Sequence, residues 1–160
     1  MTSGDFQQNS EPANGNWFIR SADWRDYVQL NNLERSCFSS EDHWPIWDLL
    51  GVLTLPGMVR IKAVAGGMMV GFIGGEREAT KRRGWVTTLA VLPAYRRHGI
   101  AMALLDVCEA KLAMPVIRLS VRESNTAAIG LYESAGYALV ERWQKYYIGG
   151  ETALVFEKRH

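Results

Sequence analysis

The run from Leu89 to Ala101, reading Leu-Ala-Val-Leu-Pro-Ala-Tyr-Arg-Arg-His-Gly-Ile-Ala, constrains this chain more than any other. An apolar strand, Trp85 to Leu92, feeds a short basic turn bearing Gly99, and a helix from His98 to Ala113 follows at once. Ile100, Ala103, Leu104, Val107 and Cys108 recur at helical spacing, so one stripe of that helix has to face a sheet. Such a turn aims successive backbone N–H groups and the positive end of a helix at one point, which suits a phosphate group. The chain is therefore expected to be α/β and to bind a phosphorylated partner.

The remaining punctuation gives the order of elements. Trp17 to Ser21 predicts a first strand, Ala22-Asp23 opens a helix to about Cys37, and Trp44 to Leu53 forms a second helix with Pro45 in its first turn. Met58 to Ala65 and Met68 to Gly75 are β-rich runs around Gly66-Gly67, a strong hairpin signal. Val116 to Arg122 predicts a strand and Asn125 to Ala135 a helix closed by Gly136. Tyr137 to Ile148 and Thr152 to Lys158 complete the chain as two strands around Gly149-Gly150, pairing either within the chain or across a homodimer. This order calls for a mixed sheet with helices on both faces.

Length fits one domain over residues 17–160, with a polar tail, residues 1–16, expected to be disordered. A formal net charge of +1 gives no general argument for nucleic acid or an anionic membrane as partner. No apolar run approaches the roughly 20 residues of a membrane-spanning helix, and the N-terminus lacks the apolar core of a signal peptide. Cys37 and Cys108 give neither a disulfide framework nor metal-ligand spacing, so no metal is expected and a reducing, cytoplasmic location is. Lys81 to Arg83 suit a solvated loop, whereas Arg96 and Arg97 belong to the glycine turn.

Three features stand in sequence order: the turn Arg96-Arg97-His98-Gly99-Ile100-Ala101, the segment from Asn125 to Tyr132 with its small residues Ala127, Ala128 and Gly130, and the close Ala135-Gly136-Tyr137. Together they resemble the GNAT superfamily of N-acetyltransferases, whose acetyl-CoA turn reads Q/R-x-x-G-x-G/A. Their second signature reads N-x-x-A-x-x-L-Y-x-x-x-G-F/Y. The specific similarity covers Trp85 to Lys158. It implies a mixed, mostly antiparallel sheet of about seven strands with helices on both faces, and acetyl-CoA as cofactor. Leu119 to Asn125, Gln144 to Tyr147 and Glu151 to Phe156 resemble most the enzymes that acetylate protein N-termini, the ribosomal-protein alanine acetyltransferases among them.

The resemblance assigns roles residue by residue. The main chain of Leu89, Ala90 and Val91 would pair with the pantetheine arm like an added strand. The N–H groups from Arg97 through His98, Gly99, Ile100, Ala101 and Met102 would cradle the pyrophosphate, with Arg96 or Arg97 adding charge. Asn125 is an N-cap and, by resemblance, also a cofactor contact. Tyr132 lies at core spacing, yet its family counterpart points a phenol at the thioester sulfur as general acid.

Tyr146 and Tyr147 match a pair lining the peptide entrance, and His43 and Trp44 fall on a substrate-side loop. Ser120 stands where the bacterial alanine acetyltransferases carry Glu. Proton removal is then left to water held by Ser120, to backbone carbonyls, or to Glu76, Glu78, Tyr146 or Tyr147, unless the amine arrives neutral. The acceptor is expected to be a protein or peptide N-terminus. A small-molecule amine, a non-catalytic acyl-CoA-binding role and, from the clustered arginines alone, a nucleic-acid module are the alternatives.

Overall fold

Gly66 and Gly67 both take positive φ, 56° and 77°, and this two-residue turn folds the apolar middle of the chain back on itself as a hairpin. Around it, a computed structural model that describes residues 16–160 places the following elements. They are β1 (Trp17–Ser21), α1 (Tyr27–Cys37), α2 (Ile46–Thr54), β2 (Met58–Ala65), β3 (Met68–Glu78) and β4 (Arg83–Val91), then α3 (Ile100–Leu112), β5 (Val116–Arg122), α4 (Thr126–Ser134), β6 (Ala138–Trp143) and β7 (Ala153–Arg159). The expected disordered tail, residues 1–16, lies outside the described residues apart from Asn16. Among those residues no helix is long and apolar enough to cross a membrane.

The seven strands form one sheet in the order β1-β2-β3-β4-β5-β7-β6. Every pairing is antiparallel except β4 with β5. That parallel contact covers only Arg83–Trp85 against Val116–Arg118, after which the two strands part. The last hairpin pairs within the chain, β7 lying between β5 and β6.

Helices cover both faces, as the element order requires. α3 and α4 bury Leu104, Leu105, Cys108, Leu112 and Tyr132 against one face, while Leu30, Leu33, Leu49, Val52 and Leu53 of α1 and α2 pack with Phe72 and Ala90 on the other. Adjacent glycines of β3 let both layers approach. A Cβ on Gly75 would stand 2.9 Å from Cys108 Sγ, and one on Gly74 would stand 2.8 Å from Val52 Cγ2.

Several boundaries differ from the sequence reading, each for a local reason. A 3₁₀ turn, Trp24–Asp26, precedes α1 because Asp23 and Asp26 form a reciprocal capping box: Asp23 Oδ1 accepts from Arg25 N at 2.8 Å and Asp26 Oδ2 from Asp23 N at 2.9 Å. α2 starts at Ile46, leaving Pro45 as its cap. α3 starts at Ile100 because Gly99, at φ 79°, is its left-handed cap. β3 runs on to Glu78. β6 stops at Trp143, and Lys145 at φ 52° turns the chain out of the sheet, so Tyr146 and Tyr147 lie on a loop rather than on alternate faces of a strand.

Candidate active site

At the end of β4 the chain makes a 3₁₀ turn, Pro93–Tyr95, and enters α3 through Arg97 (φ 67°) and Gly99 (φ 79°). Two left-handed residues so close together curl the backbone into a concave nest of N–H groups. The first intrahelical bond of α3 runs from Ala103 N to Gly99 O, at 3.1 Å. Among the described residues, none of the six N–H groups from Arg97 to Met102 donates to protein. A Cβ on Gly99 would meet nothing within 4 Å, so the space before the nest is open.

His98 Nδ1 lies 2.8 Å from Arg96 O and 3.1 Å from Tyr95 O, which ties down the turn. Arg97 is exposed at the rim. Arg96 folds back, its Nε donating to Val91 O at 3.1 Å, and Cys37 Sγ reaches the same carbonyl at 3.4 Å. Burial raises the Cys37 thiol pKa, with Arg96 opposing, and burial pushes Cys108 up to about 12. Neither thiol is poised as a nucleophile.

The parting of β4 from β5 leaves the strand edge at Leu89, Ala90 and Val91 without a partner from β5. On the α3 side of that gap, Asn125 caps α4 by accepting from Ala128 N at 3.1 Å. Seven residues on, Tyr132 is 7% exposed and packs edge-on against Tyr137 at 6.0 Å. Tyr137 is locked behind it by a buried hydrogen bond to Glu109 (2.7 Å), which also pairs with Lys158 (2.9 Å). Burial, with the nearby Tyr147 adding to it, pushes the Tyr132 phenol up to about 12, so it stays protonated at neutral pH.

β5 alternates, with Ile117, Leu119 and Val121 buried and Arg118, Ser120 and Arg122 on the opposite face. Ser120 lies near the phenol of half-buried Tyr147, whose pKa is raised by burial while Ser120 works against that. Arg122 stacks over the Tyr147 ring, 4.3 Å from its centroid. Its Nε donates to Asp42 at 2.9 Å and its Nη1 to Glu151 at 2.8 Å. One guanidinium thus latches the α1–α2 loop to the β6–β7 loop. Glu151 also accepts from Ser124 N at 2.8 Å, and hydrogen bonds from Ser124 first and Arg122 second hold its carboxyl down at about 2.

Of the other residues marked in the sequence, His43 is half-buried, with Nε2 3.1 Å from Phe38 O, and Trp44 N donates to the buried Glu34 at 2.6 Å. Tyr146 is exposed, stacked between Trp143 and Tyr147. Glu78 accepts from Lys81, Arg83 and Trp85, contacts that hold it down at about 2 and make it a poor base. Glu76 lies elsewhere, lining a recess with Thr87 and α2. The Asp42–Arg122–Glu151 latch was not read from the sequence. Arg122 and Glu151 fall inside stretches that carry the family likeness, but a partner 80 positions away leaves no local signal.

Residues 17–137 match the model of the acetyltransferase (GNAT) family. The N-terminal acetyltransferase A complex catalytic subunit NAA10 of Arabidopsis thaliana is 30% identical over 147 residues, which is 88% of this chain and 76% of that protein. The N-alpha-acetyltransferase RimI of Mycobacterium tuberculosis is 33% identical over 136 residues, 83% of this chain and 86% of the relative. Among solved structures, the ribosomal-protein-S18-alanine N-acetyltransferase from Escherichia coli has the same fold, with a TM-score of 0.79 at 24% identity over 89% of this chain and 93% of the other.

Proposed function

Because the chain belongs to the GNAT acetyltransferase family and is an acetyl-CoA-dependent N-acetyltransferase, we propose that its acceptor is the α-amino group of a protein or peptide and that residues 17–160 are the one domain that acts on it. The observation that carries this reading is the acceptor-side cluster, in which Tyr147, fixed by Arg122, stands beside Ser120 and close to Tyr132. The relatives named for N-terminal acetylation support it. Free thiols at Cys37 and Cys108 fit a reducing, cytoplasmic setting.

The six unpaired N–H groups and the open space before Gly99 fit a diphosphate, and Arg97 at the rim would add charge. The free edge of β4 at Leu89, Ala90 and Val91 would take the pantetheine arm; the Val91 carbonyl is already engaged, so its N–H is the group left to pair. Asn125 spends its oxygen on Ala128, which leaves its amide to face the cofactor. Acetyl-CoA supplies an acetyl group activated as a thioester. Tyr132, protonated and without a protein hydrogen-bond partner among the described residues, is the proton donor for the departing thiolate.

Ser120 cannot act as a base near neutral pH, and the raised phenol of Tyr147 is no better. The amine has to arrive neutral, its surplus proton passing to water. At pH 7.5 roughly a third of α-amino groups are neutral, against about one lysine in a thousand, from reference pKa values of about 7.8 and 10.4. The acceptor side therefore selects α-amines by their own acidity.

Incubating the protein with labelled acetyl-CoA and a peptide library, then locating the acetyl group by mass spectrometry, tests this. Modification of N-termini is the expected result. Transfer confined to lysine side chains or small amines, or cofactor binding without transfer, would overturn it.

A further inference from the structure

On the sheet face that carries α1 and α2, a recess of about 290 Å³ opens between α2 and the strands β2 to β4. This lies at the lower end of the range for small-molecule pockets, about 300–1,000 Å³, so it suits one side chain rather than a whole ligand. Its floor includes Thr87, the extra residue of a bulge where β4 slips between Gly74 and Gly75 of β3. The Thr87 hydroxyl is sealed from solvent and has no hydrogen-bond partner. Thr87 lies two residues before Leu89, toward the end of the β4 edge away from the N–H nest.

The walls determine the chemistry. Asp48 and Glu76 present carboxylates, and neither pairs with a cation among the described residues. Glu78 and Asp42, by contrast, are spent on Lys81, Arg83 and Arg122. Arg60, on the same strand face, is turned onto the Leu55 carbonyl at 3.2 Å. Trp44 and Trp47 add indole surface, Trp47 with 77% of its surface exposed, and Leu55 adds an apolar wall.

An acidic ligand would be repelled here, and an apolar one would leave both carboxylates unanswered. A lysine or arginine lays its methylenes along Leu55 and Trp47 while its head reaches carboxylate and indole together. We infer that this recess receives a cationic side chain of the acceptor, within a few residues of the acetylated amine. The inference rests on the proposed peptide acceptor and on the thioester lying past Leu89.

The test uses the intact chain, acetyl-CoA and peptides with a free N-terminal serine, in which one lysine is moved through positions two to four and replaced in turn by norleucine or glutamate. At one position lysine should raise kcat/KM roughly tenfold over norleucine, the size of two rim-exposed charge pairs plus an indole face. That ratio should shrink in high salt. In the double variant Asp48→Asn, Glu76→Gln it should fall to about two- to threefold, the share left to the indole, and Trp47→Ala should lower it part of the way. Peptides acetylated with no preference at any position, or a preference the double variant keeps in full, would overturn the inference and leave the acceptor reading standing. No transfer to any peptide would sink both.

Discussion

The two sides of the cleft are built from different materials. On the α3 side the groups proposed to hold the cofactor are backbone N–H donors, held by a helix whose Leu104, Leu105, Cys108 and Leu112 are all fully buried. On the α1–α2 side they are side chains on loops, held together by Arg122 through Asp42, Glu151 and the face of Tyr147. A main-chain nest is rigid because its geometry is that of the fold, and it suits a diphosphate that never changes. Side chains on loops can be re-specified without touching the core, which suits a variable acceptor. Cofactor affinity should therefore resist changes on the acceptor side, and acceptor affinity should carry the effects.

The sharpest way to break this contrast is Gly99→Val. The cap residue sits at φ 79° with open space around it, so the fold should survive about 1–2 kcal/mol of left-handed strain while the β-branched side chain blocks the nest. CoA affinity, measured by calorimetry, should fall on the order of 100-fold; unchanged affinity would remove the nest from the cofactor site.

Tyr132→Phe comes next. It should lower kcat on the order of 100-fold with CoA affinity unchanged, as removal of a general acid does. With the phenol raised to about 12, the acid form persists through neutral pH, so the wild-type kcat profile should show no alkaline loss from this group up to pH 10.

Arg122→Lys keeps the charge but not the fork that bridges two loops. It should raise the acceptor KM roughly three- to tenfold, with kcat and CoA affinity nearly constant. A matching loss of CoA affinity would show that the two sides are not separate.

The smallest effect concerns acid. Glu151 is held at about 2, below the ordinary carboxylate value of about 4.3, so its contact with Arg122 is complete above that value and is lost only as pH falls toward 2. The Glu151 carboxyl, followed by NMR, should titrate with a midpoint near 2; a midpoint near 4.5 would show Glu151 free of Arg122.

How far the site was legible follows the same division. Strand, turn and helix around Gly99 are contiguous in the chain, so local pattern was enough to mark them, whereas Asn125 and Tyr132, seven positions apart, were marked by the family likeness of the segment that holds them. Tyr146 and Tyr147 were marked as residues but misplaced on a strand, because the left-handed backbone at Lys145 is not announced by a lysine. The latch joins residues 42, 122 and 151, and the acidic recess joins α2 to three strands; no window of sequence contains either.

The sequence alone determined the order of strands and helices and the strand, turn and helix around Gly99, because hydrophobic period and turn chemistry act between near neighbours; the roles expected of that turn and of Tyr132 came with the family resemblance. Only the tertiary structure decided where β4 and β5 part, which loops Arg122 joins and which carboxylates are left unpaired. Those outcomes depend on the register of strands and on ion pairs between residues distant in the chain, and such contacts form only once the sheet has brought their partners within a few ångströms.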